Sequence, residues 1–254
     1  MTAGPRTIAG IDPARRALLD AGTVESTTLT EGLAIDFATL MHSALPDLGE
    51  TACATLRQAA GMGIVKRMAL AARLILDRHG PDHVAALYDH PSDTVRGWAC
   101  FAIGAVPGLS LDARLARIRP LADDPHFGVR EWAWIAVRPA IADELEVAIS
   151  ALARWTADPS ERIRRFASEA TRPRGVWCAH LRPLRDRPEL GLPILESLRA
   201  DPARYVQDSV GNWLNDAGKD RPDWVRSLCA RWSANGPTPE TTRIVRRGLR
   251  SLSA

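Results

Sequence analysis

The sequence predicts an all-α protein, a curved α-solenoid of stacked helical pairs, and three observations carry that prediction. No segment alternates apolar and polar residues between hairpin turns, so no strand is expected. A turn motif recurs: His90-Pro91, Asp124-Pro125, Asp158-Pro159 and Asp201-Pro202 stand with their prolines 34, 34 and 43 residues apart. Counting from each proline, the fourth residue is Val95, Val129, Ile163 or Val206, and the eighth is Ala99, Ala133, Ala167 or Val210. Helix, turn and second helix at this period make a HEAT-like repeat, in which each pair buries its apolar face on its neighbours. About six pairs are expected in one domain over residues 1–254, with second helices lining the inner surface.

Taken in order, residues 1–11 read as an irregular lead. Asp12-Pro13 is an N-cap and first helical residue for ARRALLDAG, stopped by Gly22. The apolar periodicity of Leu29 to Ala44 predicts one helix closed by Pro46. Further helices are expected over 50–60 and 64–78, the latter ended by Gly80-Pro81. The clearest repeats occupy 81–250, with weaker copies at Ile64-Val65-Lys66-Arg67 and Ile244-Val245-Arg246-Arg247. The last interval is nine residues longer, and the extra length falls after Trp177, in the segment CAHLRPLRDRP.

Composition excludes several classes of function. The 254 residues are 46% hydrophobic and 25% charged, as in an ordinary soluble chain, and no apolar run approaches a membrane span. The N-terminus has no apolar signal region, which makes a cytoplasmic location the expectation. Cys53, Cys100, Cys178 and Cys229 are far apart and form no CxxC, so reduced, packed thiols are expected rather than a metal site. The six His are scattered and no Ser has a His partner nearby. Metal-binding and phosphate-loop spacings are missing, and no cofactor is expected. Charge is uneven: Ser160 to Ala254 holds 18 Lys and Arg against 11 Asp and Glu, and Lys219 is the one Lys there. An Arg-rich half suits planar contact with phosphate or carboxylate.

Aligning the repeats separates scaffold from candidate site. The fifth position holds Arg96, Arg130, Arg164 and Gln207, readable as a phosphate ladder or as a structural arginine bonding the turn of its own repeat. Positions six, ten and thirteen share one helix face. They run Gly97, Phe101, Gly104; then Glu131, Ile135, Arg138; then Arg165, Glu169, Arg172; then Asp208, Asn212, Asn215. Carboxylates and guanidiniums thus collect on one face beside Trp132, Trp134 and Trp177. Salt bridges between stacked repeats, Glu131 to Arg165 and Glu169 to Arg138, are the plain alternative. As a site, such a groove suits cleavage of a glycosidic bond: carboxylates stabilise a cationic sugar, Trp faces pack on it, and Arg grips flanking phosphates.

ERIRRFASEATRPRGVW and DPARYVQDSVGNWLNDAGKDRPDWV, with LTEGLAIDFATLMHSALPDL and VREWAWIAVRP, resemble the HEAT-like-repeat DNA alkylation repair glycosylases of the AlkC/AlkD type, closer to AlkC. The resemblance runs over roughly 25–250, and ASEATRPR and SVGNWLND are its most specific parts. It implies a monofunctional glycosylase that removes cationic N-alkylated bases such as 3-methyladenine, and in the AlkC branch 3-methylcytosine, from duplex DNA. The family does this without metal and without flipping the base into a pocket. Carried over by motif, Glu131 and Glu169 are the acidic residues facing the damaged nucleotide, and Trp177 packs on the sugar. Asp216 is the third acidic candidate, with Asp208 competing. Arg138, Arg172 and Arg174 hold the DNA backbone with Arg243, Arg246 and Arg247, and Trp132 and Asn212 join that DNA-binding face. The expected partner is alkylated double-stranded DNA, met by a monomer with no membrane contact and no small-molecule cofactor. Some AlkC enzymes carry a C-terminal immunoglobulin-like domain, and none is expected here. A non-catalytic DNA-binding solenoid and a protein–protein scaffold are the competing functions.

Overall fold

The computed structural model describes residues 7–234 and 236–252. Among them the secondary structure is entirely helical, as expected. In chain order the α-helices are α1 (Pro13–Asp20), α2 (Leu29–Ala34), α3 (Phe37–Ala44), α4 (Gly49–Gln58), α5 (Ile64–His79), α6 (Asp93–Ala105), α7 (Leu111–Ala122) and α8 (Phe127–Asp143). They continue as α9 (Leu145–Trp155), α10 (Glu161–Ala170), α11 (Arg182–Asp186), α12 (Leu192–Leu198), α13 (Arg204–Gly218), α14 (Pro222–Ser233) and α15 (Pro239–Leu249). The chain forms two compact units, Met1–Val137 and Arg138–Ala254, and the division falls within α8.

Local chemistry sets the boundaries. The Asp12 carboxylate accepts from Ala14 N at 2.7 Å with Pro13 at the first helical position, which starts α1 as expected. Of the irregular lead, residues 1–6 lie outside the described residues, and Ile8–Gly10 form a 3-10 turn. The single helix expected over 29–44 is two. Asp36 turns its carboxylate onto Thr39 N at 2.7 Å while its own N–H donates to Asp20 Oδ1, so it caps α3 instead of continuing α2. The insertion after Trp177 supplies α11 and a 3-10 turn, Pro188–Gly191, ahead of α12.

The repeat positions resolve as scaffold. Val95, Val129, Ile163 and Val206 are buried, as are Ala99, Ala133, Ala167 and Val210. The arginine of the fifth position bonds its own turn. Arg164 Nη1 donates to the carbonyls of Asp158 and Pro159 at 2.9 and 3.0 Å, and Arg130 Nη1 does the same to Asp124 and Pro125. Gln207 reproduces the pattern on Asp201 and Pro202. Arg96 and Arg164 also fork onto the aspartate of the next turn, Asp124 and Asp201. Of the two readings, the structural arginine is the one observed. Within the C-terminal unit the second helices pack in series, α10 on α13 and α13 on α15. Residues of α10 and α13 that face each other are thereby fixed as neighbours, and the charged face lies there.

Candidate carboxylate site and nucleic-acid interface

In the C-terminal unit Glu169 sits in the last turn of α10 and is only 3% exposed. Its Oε1 accepts from Arg172 Nη1 at 2.6 Å, its Oε2 from the Ser209 hydroxyl at 2.6 Å, and Arg165 Nη2 stands 3.5 Å from Oε2. Burial opposes ionisation of this carboxyl. Arg165, Arg172 and the Ser209 hydroxyl outweigh it and hold the pKa below the ordinary glutamate value. Asp216, on α13 and 4% exposed, accepts from Arg172 Nε at 2.9 Å and Nη2 at 2.7 Å, both at Oδ2. Lys219 Nζ approaches Oδ1 at 3.4 Å. One guanidinium therefore joins two carboxylates from adjacent helices. Burial works against the Arg172 cation, but Glu169 and Asp216 raise its pKa above the ordinary value.

The chain leaving α10 forms a loop that the Leu181 N–H closes on the Pro173 carbonyl at 3.0 Å. Arg138, 2% exposed, pins it from within. Its guanidinium donates to the carbonyls of Ala170, Arg172 and Ala179 at 2.8, 2.5 and 3.0 Å, and burial lowers its pKa. A Cβ at Gly175 would stand 2.2 Å from Cys178 Sγ, so a larger residue there must displace that thiol. Trp177, at the outer part of the loop, has a left-handed backbone (φ 61°) and 46% exposure, beside exposed Val176. A large non-glycine residue held there is strained by roughly 1 kcal/mol.

The other expected residues fall in separate places. Asp208 on α13 pairs with Arg243 at 2.7 Å and Arg247 at 3.3 Å on α15, and Asn212 on α13 accepts from Arg247 and from Arg250 at the C-cap of α15. Arg246 is exposed. Arg174 shares Asp220 with Arg185; the Arg185 guanidinium, and with it Arg174, holds that carboxyl well below the usual range against partial desolvation. Of the two acidic candidates on α13, Asp216 shares Arg172 with Glu169 and Asp208 does not. Arg138, expected on the DNA backbone, turns its guanidinium to carbonyls inside the fold and not to Glu169. In the N-terminal unit Glu131 accepts from Trp134 Nε1 at 2.9 Å, and Trp132 is 9% exposed and tilted against Phe101.

Sequence reasoning did not assign Ser209, Arg165, Lys219, Asp220 or Arg185 to the site. Arg165 was signalled by its spacing of four from Glu169; Ser209 carried no signal until α13 was laid against α10. Among the described residues no group of three His, Cys, Asp or Glu is placed to hold a metal, and no helix is long and apolar enough to cross a membrane.

Comparison with known proteins adds to this geometry. The family model for HEAT repeats matches residues 81–171, and the model for DNA alkylation repair enzymes matches residues 129–244. The alkylpurine DNA glycosylase AlkC of Pseudomonas fluorescens, solved with DNA containing an abasic-site analogue, is similar with a TM-score of 0.68 and 28% identity. That match covers 85% of this chain, which spans 60% of the AlkC chain. AlkD2 of Streptococcus mutans is similar in fold, with a TM-score of 0.62 at 19% identity over 79% of this chain and 97% of its own. The protein YhaZ of Bacillus subtilis is 38% identical over 80 residues, which are 32% of this chain and 22% of YhaZ.

Proposed function

We propose that this HEAT-repeat chain, similar to the DNA alkylation repair enzymes across its C-terminal half, is a monofunctional DNA glycosylase. It excises cationic N-alkylated bases such as 3-methyladenine from duplex DNA without swinging the base into a pocket. The observation that carries this reading is the Glu169–Asp216 carboxylate pair, joined through Arg172, with the exposed Trp177 on a strained backbone in the loop that follows Arg172. Likeness to AlkC supports it.

The chemistry asks little of an acid. A base that already carries a positive charge leaves as a neutral molecule when the C1′–N bond breaks, taking the bonding pair, and needs no proton. The sugar is left as an oxocarbenium ion, water adds at C1′, and that water's proton goes to solvent. Preorganised negative charge stabilises this cation far more than solvent does, because the dipoles need not reorganise. Glu169 and Asp216 are the proposed source of that charge, and Trp177 the proposed platform for the sugar. Glu131 keeps a proposed catalytic role on the strength of the resemblance. Arg246, with Arg243 and Arg247 around Asp208, is the proposed grip on phosphates, and binding is expected to weaken steeply with salt. The chain is proposed to act as a monomer in the cytoplasm.

A second reading, DNA binding without base release, is favoured by one observation: both carboxylates already have a cation. Incubation with duplex DNA methylated by an alkylating agent, followed by chromatography of released bases, separates the two. Release of 3-methyladenine supports the glycosylase, and salt-sensitive binding with no release supports the second reading.

A further inference from the structure

The carboxylate pair is occupied. Arg172 sets its Nη1 on Glu169 Oε1 and its Nε and Nη2 on Asp216 Oδ2, at 2.6, 2.9 and 2.7 Å. A planar, delocalised cation thus lies between the two groups that, on the glycosylase reading, stabilise a planar, delocalised oxocarbenium ion. Glu169 is held on both oxygens, Oε1 by Arg172 and Oε2 by the Ser209 hydroxyl with Arg165 close by. A cationic sugar can gain the full field of this pair only where Arg172 lets go.

We infer that Arg172 is an internal surrogate cation: it bridges and screens the carboxylate pair at rest and exchanges it for a DNA phosphate when a positively charged nucleotide arrives. The inference rests on the glycosylase reading.

Three features of the structure suit this exchange. Arg172 belongs to neither helix; it follows the C-cap of α10, at the start of the loop closed between Pro173 and Leu181. Its side chain keeps 12% exposure, so it reaches solvent while the carboxylates it covers are 4% and 6% exposed. Charge balances as well. Arg165, Arg172 and Lys219 face Glu169 and Asp216, and a cationic sugar that enters as Arg172 leaves keeps the local charge unchanged. The guanidinium gives up charge-assisted bonds to carboxylate and makes equivalent ones to phosphate. Exchange between partners of similar strength keeps the two states close in free energy, as a switch requires. A neutral nucleotide supplies the phosphate but no cation to replace the guanidinium, and would leave two carboxylates facing each other with weaker partners. Discrimination in favour of charged lesions then lies in the displacement of Arg172 and not in the shape of a pocket.

The test compares duplexes holding a cationic pyrrolidine abasic analogue or its neutral tetrahydrofuran counterpart. Wild type is expected to prefer the cationic duplex by about tenfold, since only a transition-state-like charge repays the displacement. Arg172→Gln removes the competitor, so the cationic duplex gains the freed carboxylates and the preference widens by roughly another tenfold. The neutral duplex, for which Arg172 stays on the carboxylates, binds about as before. Arg172→Lys restores the charge and returns the ratio toward wild type. An unchanged or narrowed ratio in Arg172→Gln overturns the inference. Should that variant not fold, the Nε–H resonance of Arg172 in wild type serves instead. It shifts with the cationic duplex and stays with the neutral one, and an equal response to both, or to neither, overturns the inference. Base release by wild type with an unchanged ratio sinks this inference alone; a widened ratio without base release sinks the glycosylase reading; failure to bind either duplex sinks both.

Discussion

Arg164 forks onto Asp201, Nε to Oδ2 at 2.6 Å and Nη2 to Oδ1 at 3.0 Å, across 37 positions of sequence. The same guanidinium donates its remaining nitrogen to the turn of its own repeat. One side chain therefore closes a turn and fastens it to the next. Side-chain exposures of 14% and 4% make this a largely desolvated pair.

Arg164→Ala is expected to cost about 3 kcal/mol of stability, because it takes the cation from the buried Asp201 carboxylate, which keeps the Ala203 N–H, and unpairs two turn carbonyls. Arg164→Gln is expected to cost about half as much: Gln207 shows that a glutamine keeps both turn bonds and loses only the aspartate arm. Urea denaturation of the three proteins measures the difference, and equal losses for Ala and Gln contradict this division of labour.

The helical pairs were legible because the turn, the arginine and the apolar positions recur, and repetition within one chain stands in for an alignment. The helix break at Ile35-Asp36 was not, since apolar residues keep helical spacing on both sides and a side-chain cap overrides them. Glu169, Asp216 and Arg172 were all candidates, but the bridge that Arg172 makes between the two carboxylates was not foreseen. An arginine facing phosphate, an arginine bridging carboxylates and an arginine capping carbonyls are the same letter. Arg172 and Arg138 differ only in what α13 and the Trp177 loop bring beside them. Asp208 and Asp216 were separable only once α15 took the first and Arg172 the second.

The Trp177 loop is expected to trade stability for function. Trp177→Ala keeps the unfavourable φ of 61°, whereas Trp177→Gly releases it. Thermal denaturation should find the glycine variant about 1 kcal/mol more stable than the alanine variant, with base release lost equally in both.

Arg138→Met keeps the apolar stem and removes the donors to three carbonyls. Amide exchange across 173–181 is expected to accelerate by at least about tenfold, with a loss near 3 kcal/mol in global stability. Gly175→Ala should perturb the same loop through Cys178 Sγ, and Cys178→Ala should relieve it. A loop with unchanged exchange in Arg138→Met contradicts the pinning role.

Glu31 gives the chain an acid sensitivity. Arg15 donates to both its oxygens, Thr27 adds two more bonds, and the Arg15 bond chiefly lowers its pKa from 4.5 to about 2. A carboxyl depressed in the folded state contributes its full stabilisation above its unfolded value and loses it as pH falls toward about 2. Between pH 4.5 and 2 the loss amounts to at most about 3 kcal/mol. Glu31→Gln should be less stable at pH 7 and should show a flatter decline over that window.

The most direct measurement is single-turnover release of 3-methyladenine from a methylated duplex by wild type and by Glu169→Gln, with duplex affinity measured in parallel. The account predicts release by wild type, a fall of about a hundredfold or more in the rate for Glu169→Gln, and affinity within a few-fold of wild type. Undiminished release by Glu169→Gln, or no release by wild type, contradicts it.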